Sequence, residues 1–307
     1  MINWPNGKKF AFTIFDDTDN SMIDNIYPVY QFLSSCDIKT TKSVWVYSSR
    51  DFFTGKCLED PEYLEYVRTL QNDGFEIASH GVGSGQFTRQ EIVDGVEKFK
   101  QLLGFYPYIH ANHARNSDLI YWGHKRFTFP MKWLYRLVQK RSYYGDLEGS
   151  DYFWGDIAKK HIKYMRNRTF RGINTGKYDQ IMPYIEPAKI KCANYWFSSS
   201  DGHTVEEFND LTTKENLDKL EQESGFCIVY THFASGFVNE EGELNHTFQT
   251  NIRDLSRRNG WFVPVGELLD FLLKTDGRGK AASYRDLLKL DRSWIMERIS
   301  KRFTYGR

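Results

Sequence analysis

The sequence predicts an α/β barrel, on three observations. Short β-rich runs alternate with segments of helical spacing, the runs are close to continuously apolar, and polar residues able to do chemistry gather where the runs end. FAFTIF (10–15) is the first strand, followed by KSVWVYS (42–48), FEIASH (75–80), YPYIHA (106–111), KCANYWFS (191–198), FCIVYTHF (226–233) and WFVPV (261–265). Between them, PEYLEYVRTLQNDG (61–74) and TRQEIVDGVEKFKQLLG (88–104) carry apolar residues three and four apart and end in glycine, the pattern of helices with a left-handed C-cap. About seven such units imply a closed or nearly closed barrel, in which chemistry belongs at the C-terminal strand ends.

The domain reading is one barrel over residues 1–275 with two basic elaborations, a reasonable size for a single α/β unit of a 307-residue chain. Residues 124–171 hold 12 Lys or Arg against 4 acidic residues, a local net of +8, interleaved with aromatics, and read as an insertion capping one side. Residues 276–307 read as a basic helical tail that docks back through Leu287, Leu288, Trp294, Ile295 and Ile299.

Composition excludes several classes of function. With 41 Lys and Arg against 40 Asp and Glu, the net charge is +1, so no global field favours nucleic acid. Four scattered cysteines (36, 57, 192, 227) form no C-x-x-C pair and read as reduced thiols. Neither a secretory leader nor a run of 18 apolar residues is apparent, so the expectation is a cytoplasmic protein without a transmembrane segment.

The chemistry-bearing residues are carboxylates and imidazoles. Asp16, Asp17 and Asp19 follow the first strand, His80 closes the third, His110 and His113 follow the fourth, and His232 closes a late one. Nitrogen and oxygen donors of this kind suit a divalent cation, zinc first among them, which acidifies bound water while a neighbouring carboxylate takes the proton. Adjacent strand residues point to opposite faces, so Asp16 and Asp17 can share one site only if the backbone turns between them, as Thr18 and a turn-forming Asp19 would allow.

These residues resemble the motifs of the polysaccharide deacetylases, metal-dependent carbohydrate esterases built on a distorted (β/α)7 barrel. FTIFDDTD (12–19) resembles the first motif, EIASHGVGSG (76–85) the second, YPYIHANHARN (106–116) stands at the third, YWFSSSDG (195–202) is loosely similar to the fourth, and IVYTHFASG (228–236) resembles the last; WFVPVGELLDFLL (261–273) is similar to the closing strand and helix. The resemblance implies Asp16 as general base, Asp17 and His80 as metal ligands, His232 as general acid and Asp201 as its orienting partner. Two departures stand out. Ser84 occupies the place of the second motif's other histidine, and His110, Ala111, Asn112 and His113 replace the third motif's arginine-containing run. His113 then completes an Asp–His–His ligand set, with His110 the alternate.

Substrate contacts are assigned to His110, Asn112, Arg115 and Trp196, with Arg115 standing in for the missing arginine or gripping an anion and Trp196 stacking on a sugar ring. The implied activity is metal-dependent removal of an acyl group, N-acetyl first, from a sugar in polysaccharide biosynthesis. The basic stretch suits a carbohydrate linked to a nucleotide or a lipid diphosphate. The alternatives are a non-catalytic carbohydrate binder on the same fold, or an amidase acting on a non-sugar substrate.

Overall fold

The computed structural model describes residues 2–275 and 277–305, with side chains through Ser300. Of the tail expected over 276–307, residues 276, 306 and 307 thus lie outside the described residues. Eight strands run parallel: β1 (Phe10–Asp16), β2 (Thr41–Val44), β3 (Glu76–Ser79), β4 (Ile109–Ala111), β5 (Tyr164–Phe170), β6 (Tyr195–Asp201), β7 (Phe226–Thr231) and β8 (Gly260–Phe262). Neighbours follow the order β2-β3-β4-β5-β6-β7-β1, and pairing of Phe15 and Asp16 with Thr41 and Lys42 closes the ring. The result is a seven-stranded barrel. β8 stays outside the ring, paired with Phe10–Phe12 on the flank of β1 that β2 leaves uncovered.

The helices are α1 (Ile23–Ser35), α2 (Pro61–Asn72), α3 (Arg89–Leu103), α4 (Met131–Val138), α5 (Gly155–His161), α6 (Thr175–Tyr178), α7 (Val205–Leu211), α8 (Lys214–Gln222), α9 (His246–Ser256), α10 (Val265–Leu273) and α11 (Tyr284–Tyr305). The boundaries of α3 show how locally they are set. Thr88 and Glu91 form a reciprocal capping box, and Gly104 ends the helix at φ 90°, a conformation other residues rarely adopt, donating its N–H to the Lys100 carbonyl.

Strand alternation sorts the core into two layers. Phe10, Phe12 and Ile14 pack outward with Ile26, Val29 and Leu33 of α1, whereas Ala11 and Phe15 belong to the cluster that includes Ala78, Ile109 and Phe197 of other strands. All seven β1 residues are buried, as expected of a parallel strand covered on both faces.

Two regions differ from the sequence expectation. β5 falls at the end of the stretch read as an insertion, so residues 164–170 are barrel wall. The segment YMRNRTF does not look apolar because Arg166 and Arg168 are both buried and paired, and a bulge interrupts its register between them. Helix α11 packs on β5 through buried Leu287, Leu290 and Trp294, while Ile299 is 48% exposed rather than docked. Asp291, fully buried, fixes this helix by accepting hydrogen bonds from Arg168 and from the Thr128 N–H (2.8 Å) and hydroxyl (2.6 Å). The four cysteines are free thiols. Among the described residues no helix is long and apolar enough to cross a membrane.

Candidate metal centre

The site is decided first by the pleat of β1. Hydrogen bonding continues one residue past the strand, from the Asp17 N–H to the Thr231 carbonyl (2.9 Å), so no turn intervenes between Asp16 and Asp17 and they point to opposite faces. Asp16 points outward. Its Oδ2 accepts from Lys42 Nζ (2.9 Å) and the Tyr30 hydroxyl (2.8 Å), and its Oδ1 accepts from the Phe233 N–H (2.9 Å), with both ion-pair side chains wholly buried. Asp17 points inward. Arg166, crossing from β5, donates to both of its oxygens, to Oδ1 at 3.0 Å.

The chain turns only after Asp17, and that turn brings Asp19 back into the barrel mouth. Three imidazoles converge on its carboxylate: His113 Nε2 lies 2.6 Å from Oδ1, and His232 Nε2 and His80 Nε2 lie 2.8 and 3.3 Å from Oδ2. His80 is also 3.6 Å from Asp17. Asp19, read from the sequence as a turn residue, is the centre of the cluster.

The opposite nitrogen of each ring bears on what this cluster could hold. His80 Nδ1 meets the Ala111 carbonyl (3.0 Å) and His232 Nδ1 meets the His203 carbonyl (3.3 Å), groups that only accept. His113 Nδ1 meets Asn116 Oδ1 (3.3 Å), and that amide is oriented by accepting from the Gly85 N–H and donating to the Gly83 carbonyl, both at 2.9 Å. Each Nδ1 therefore carries the ring proton, and in the neutral rings each Nε2 lone pair faces a carboxylate that also has only lone pairs to offer. The cluster therefore calls for positive charge, from protons or from a bound cation. Three extra protons would bury three imidazolium rings around one carboxylate, whereas one divalent cation serves all the donors. Asp19, His80 and His113 place their ligand atoms within 4.8 Å of one another, as do Asp17, Asp19 and His232.

Electrostatics show the same demand for positive charge around Asp19. Burial works to raise the Asp17 pKa, but the charge of Arg166, then that of His80, holds it below the usual carboxylate value. Burial works to raise the Asp19 pKa, but the close imidazoles of His113, His232 and His80 hold it well below its ordinary value. Burial lowers the affinity of His113 and His232 for a proton, and the Asp19 carboxylate more than restores it.

Several expected site residues lie elsewhere. Asp201 does not orient His232; the His203 carbonyl does, while Asp201 sits near Arg298 and Glu207 on the flank toward α7 and α11. His110 is not in the cluster, because its strand position, level with Ser79 and Met165, turns it out of the barrel against Ser79 Oγ (3.1 Å) and Trp154, and burial, reinforced by the nearby His80, pushes its pKa down to about 3. Asn112 pins the following loop through both Ile120 backbone groups (3.1 Å each). Trp196 is 1% exposed and exchanges backbone hydrogen bonds with Tyr184, so it presents no ring to a sugar. Ser84 donates to Asp51 (2.6 Å) instead of joining the cluster. Arg115 is exposed, its guanidinium 4.6 Å from the centroid of Phe52, which is itself 62% exposed. Next to it, Phe53 packs edge-on against His113 (4.8 Å between centroids).

Sequence reading missed Asp19 and Arg166 as site residues. The signal for Asp19 was only its nearness to Asp17 at a strand end, since a turn after the strand and not the strand period returns it to the site. Arg166 gave none, since its role depends on a partner 149 residues away.

No protein-family model and no curated protein matches the chain. Solved structures do. The chain is similar to a probable polysaccharide deacetylase from Pseudomonas aeruginosa (TM-score 0.55, 13% identity, 90% of this chain and 94% of that one) and to PuuE allantoinase (TM-score 0.55, 14% identity, the same coverage). The fold is the deacetylase-type (β/α)7 barrel expected from the motifs.

Proposed function

We propose that the chain is a metal-dependent hydrolase that removes an acyl group, N-acetyl first, from a sugar used in polysaccharide biosynthesis. The observation that carries this reading is the convergence of three Nε2 lone pairs on Asp19, each ring fixed from behind by an acceptor, beside the Asp17–Arg166 pair. Asp19, His80 and His113 would hold the ion, zinc being the best match to one carboxylate and two imidazoles. Such an ion, when bound, polarises an acyl carbonyl and lowers the pKa of water.

The remaining steps belong to the protein. Asp17 is the general base in place of Asp16, kept ionised by Arg166, which does here what the missing arginine of the third motif would have done. His232, its Nδ1 held by the His203 carbonyl and its affinity for a proton raised by Asp19, acts as the imidazolium and gives the Nε2 proton to the departing nitrogen or oxygen. Asp16 is a structural residue. Exposed Phe52, with Arg115 on its ring, offers a flat apolar face and a positive charge next to His113, suited to a sugar bearing a phosphate. A nucleotide- or lipid-linked N-acetyl sugar combines those features.

The structural likeness to an allantoinase favours a second reading, an amidase on a non-sugar substrate with the same residues in the same roles. Metal analysis of purified protein tests the assignment common to both. Stoichiometric metal retained in Asp17→Asn and lost in Asp19→Ala, His80→Ala and His113→Ala is the expected result. Metal lost in Asp17→Asn and kept in Asp19→Ala returns the ligand role to Asp17, and a metal-free wild type favours a non-catalytic binder. Release of acetate from N-acetylated sugar phosphates, against ring opening of cyclic amides, separates the two substrates.

A further inference from the structure

Helix α4 is built unlike the others in the barrel. All of its residues escape full burial, although MKWLYRLV is mostly apolar: Trp133 is 57% exposed, Leu134 47%, Leu137 66% and Val138 71%, with Phe129 just ahead at 69%. A helix that packs on a core hides such residues, and contiguous apolar exposure on a soluble surface marks an interaction site. The patch extends across a groove of about 740 Å³ onto α11, where Met296 and Ile299 are also exposed.

Charge says what covers it. Lys132, Arg136, Lys140 and Arg141 are all exposed on and just after α4, and none makes an ion pair among the described residues. No Asp or Glu occurs between Asp118 and Asp146, in a chain whose overall net charge is only +1. A short helix with protruding Trp and Leu side chains and an uncompensated basic complement is matched to an anionic lipid surface, where rings and aliphatic chains enter the acyl boundary and cations meet headgroups. An acidic protein groove would match the charge but not the outward reach of both Trp133 and Leu137.

We propose that α4 docks the protein on an anionic membrane surface, with Trp133 and Leu137 inserted and Lys132, Arg136, Lys140 and Arg141 on the headgroups. This inference stands independently of the reaction assigned above.

Co-sedimentation of the full chain with phosphatidylcholine vesicles, with and without about 30% phosphatidylglycerol, tests it. Binding to the anionic vesicles only, weakening as salt is raised, is expected. Trp133→Ser/Leu137→Ser and Lys132→Glu/Arg136→Glu should each weaken it by about tenfold or more while leaving the thermal midpoint unchanged, since all four side chains are exposed. Wild-type protein that ignores anionic vesicles, or double variants that bind as wild type does, overturns the proposal. A solution dimer that dissociates on Trp133→Ser/Leu137→Ser, with vesicles ignored, overturns it too and assigns the face to a second copy.

Discussion

Asp16 and Asp17 are neighbours in sequence, both buried, both paired with a cation, and yet they occupy different worlds. Asp16 lies between the barrel wall and α1, where Lys42, Tyr30 and the Phe233 N–H use its oxygens in a place without access to solvent. Asp17 lies inside the barrel mouth, where Arg166 grips it from one side and the Asp19–His cluster adjoins it. An ion pair between neighbouring strands β1 and β2, facing the helix layer, contributes to fixing how the barrel closes, whereas one at the mouth keeps a carboxylate ionised where it can accept a proton. What separates the two is only the pleat.

The sharpest way to break the comparison is to neutralise each pair in turn. Asp17→Asn should cost about 10²–10⁴ in kcat, the usual weight of a general base, with metal retained; steady-state kinetics beside metal analysis would show it. Lys42→Met should instead lower stability by about 3–5 kcal/mol in urea unfolding, because it strands a buried carboxylate, and the folded fraction should keep its metal. Should Lys42→Met silence the enzyme without destabilising it, Asp16 belongs to the chemistry after all.

A third carboxylate sharpens the point by lacking a cation. Glu76, at the start of β3, accepts only neutral donors, the Thr41 hydroxyl (2.6 Å) and the Gly266 N–H (3.0 Å), so burial, with Asp270 and Glu267 nearby, raises its pKa to about 7 from an ordinary 4.5. Between those two values the folded chain holds a proton that the unfolded chain has released. Its contribution to stability is therefore present in full below pH 4.5 and lost as pH rises to about 7. Glu76→Gln should stabilise the protein at pH 8 by about 1–3 kcal/mol and make little difference near pH 4, as paired urea titrations would reveal.

The smallest effect is expected at Ser84. Its hydroxyl bonds Asp51 outside the cluster, so Ser84→Ala should cost about 0.5–1.5 kcal/mol and leave metal stoichiometry intact. Metal loss in that variant would reinstate position 84 as a ligand site.

Much of the scaffold was legible because it is encoded locally. The capping box of α3, its terminal Gly104 and the apolar first strand are patterns of a few residues, and they appear where the pattern places them. β5 was hidden because its two arginines look like surface charge until Asp17 and Asp291 are found to neutralise them. The histidines divided along the same line. His80, His113 and His232 were visible as strand-end residues, but His110, three positions before His113, still lies within β4, and the pleat turns it to the outer face with Ser79.

By itself the sequence determined that the chain alternates strands and helices, that the first strand ends in acids, and that imidazoles gather at other strand ends; these follow from periodicity and local backbone preference. Tertiary structure alone decided that Asp17 and Asp19 lie together and Asp16 does not, and that Arg166 crosses from β5 to grip Asp17. The reason is physical: alternation fixes which residues share a face, but which face becomes the barrel interior depends on packing, and the site joins Asp19 to side chains 94 and 213 residues distant.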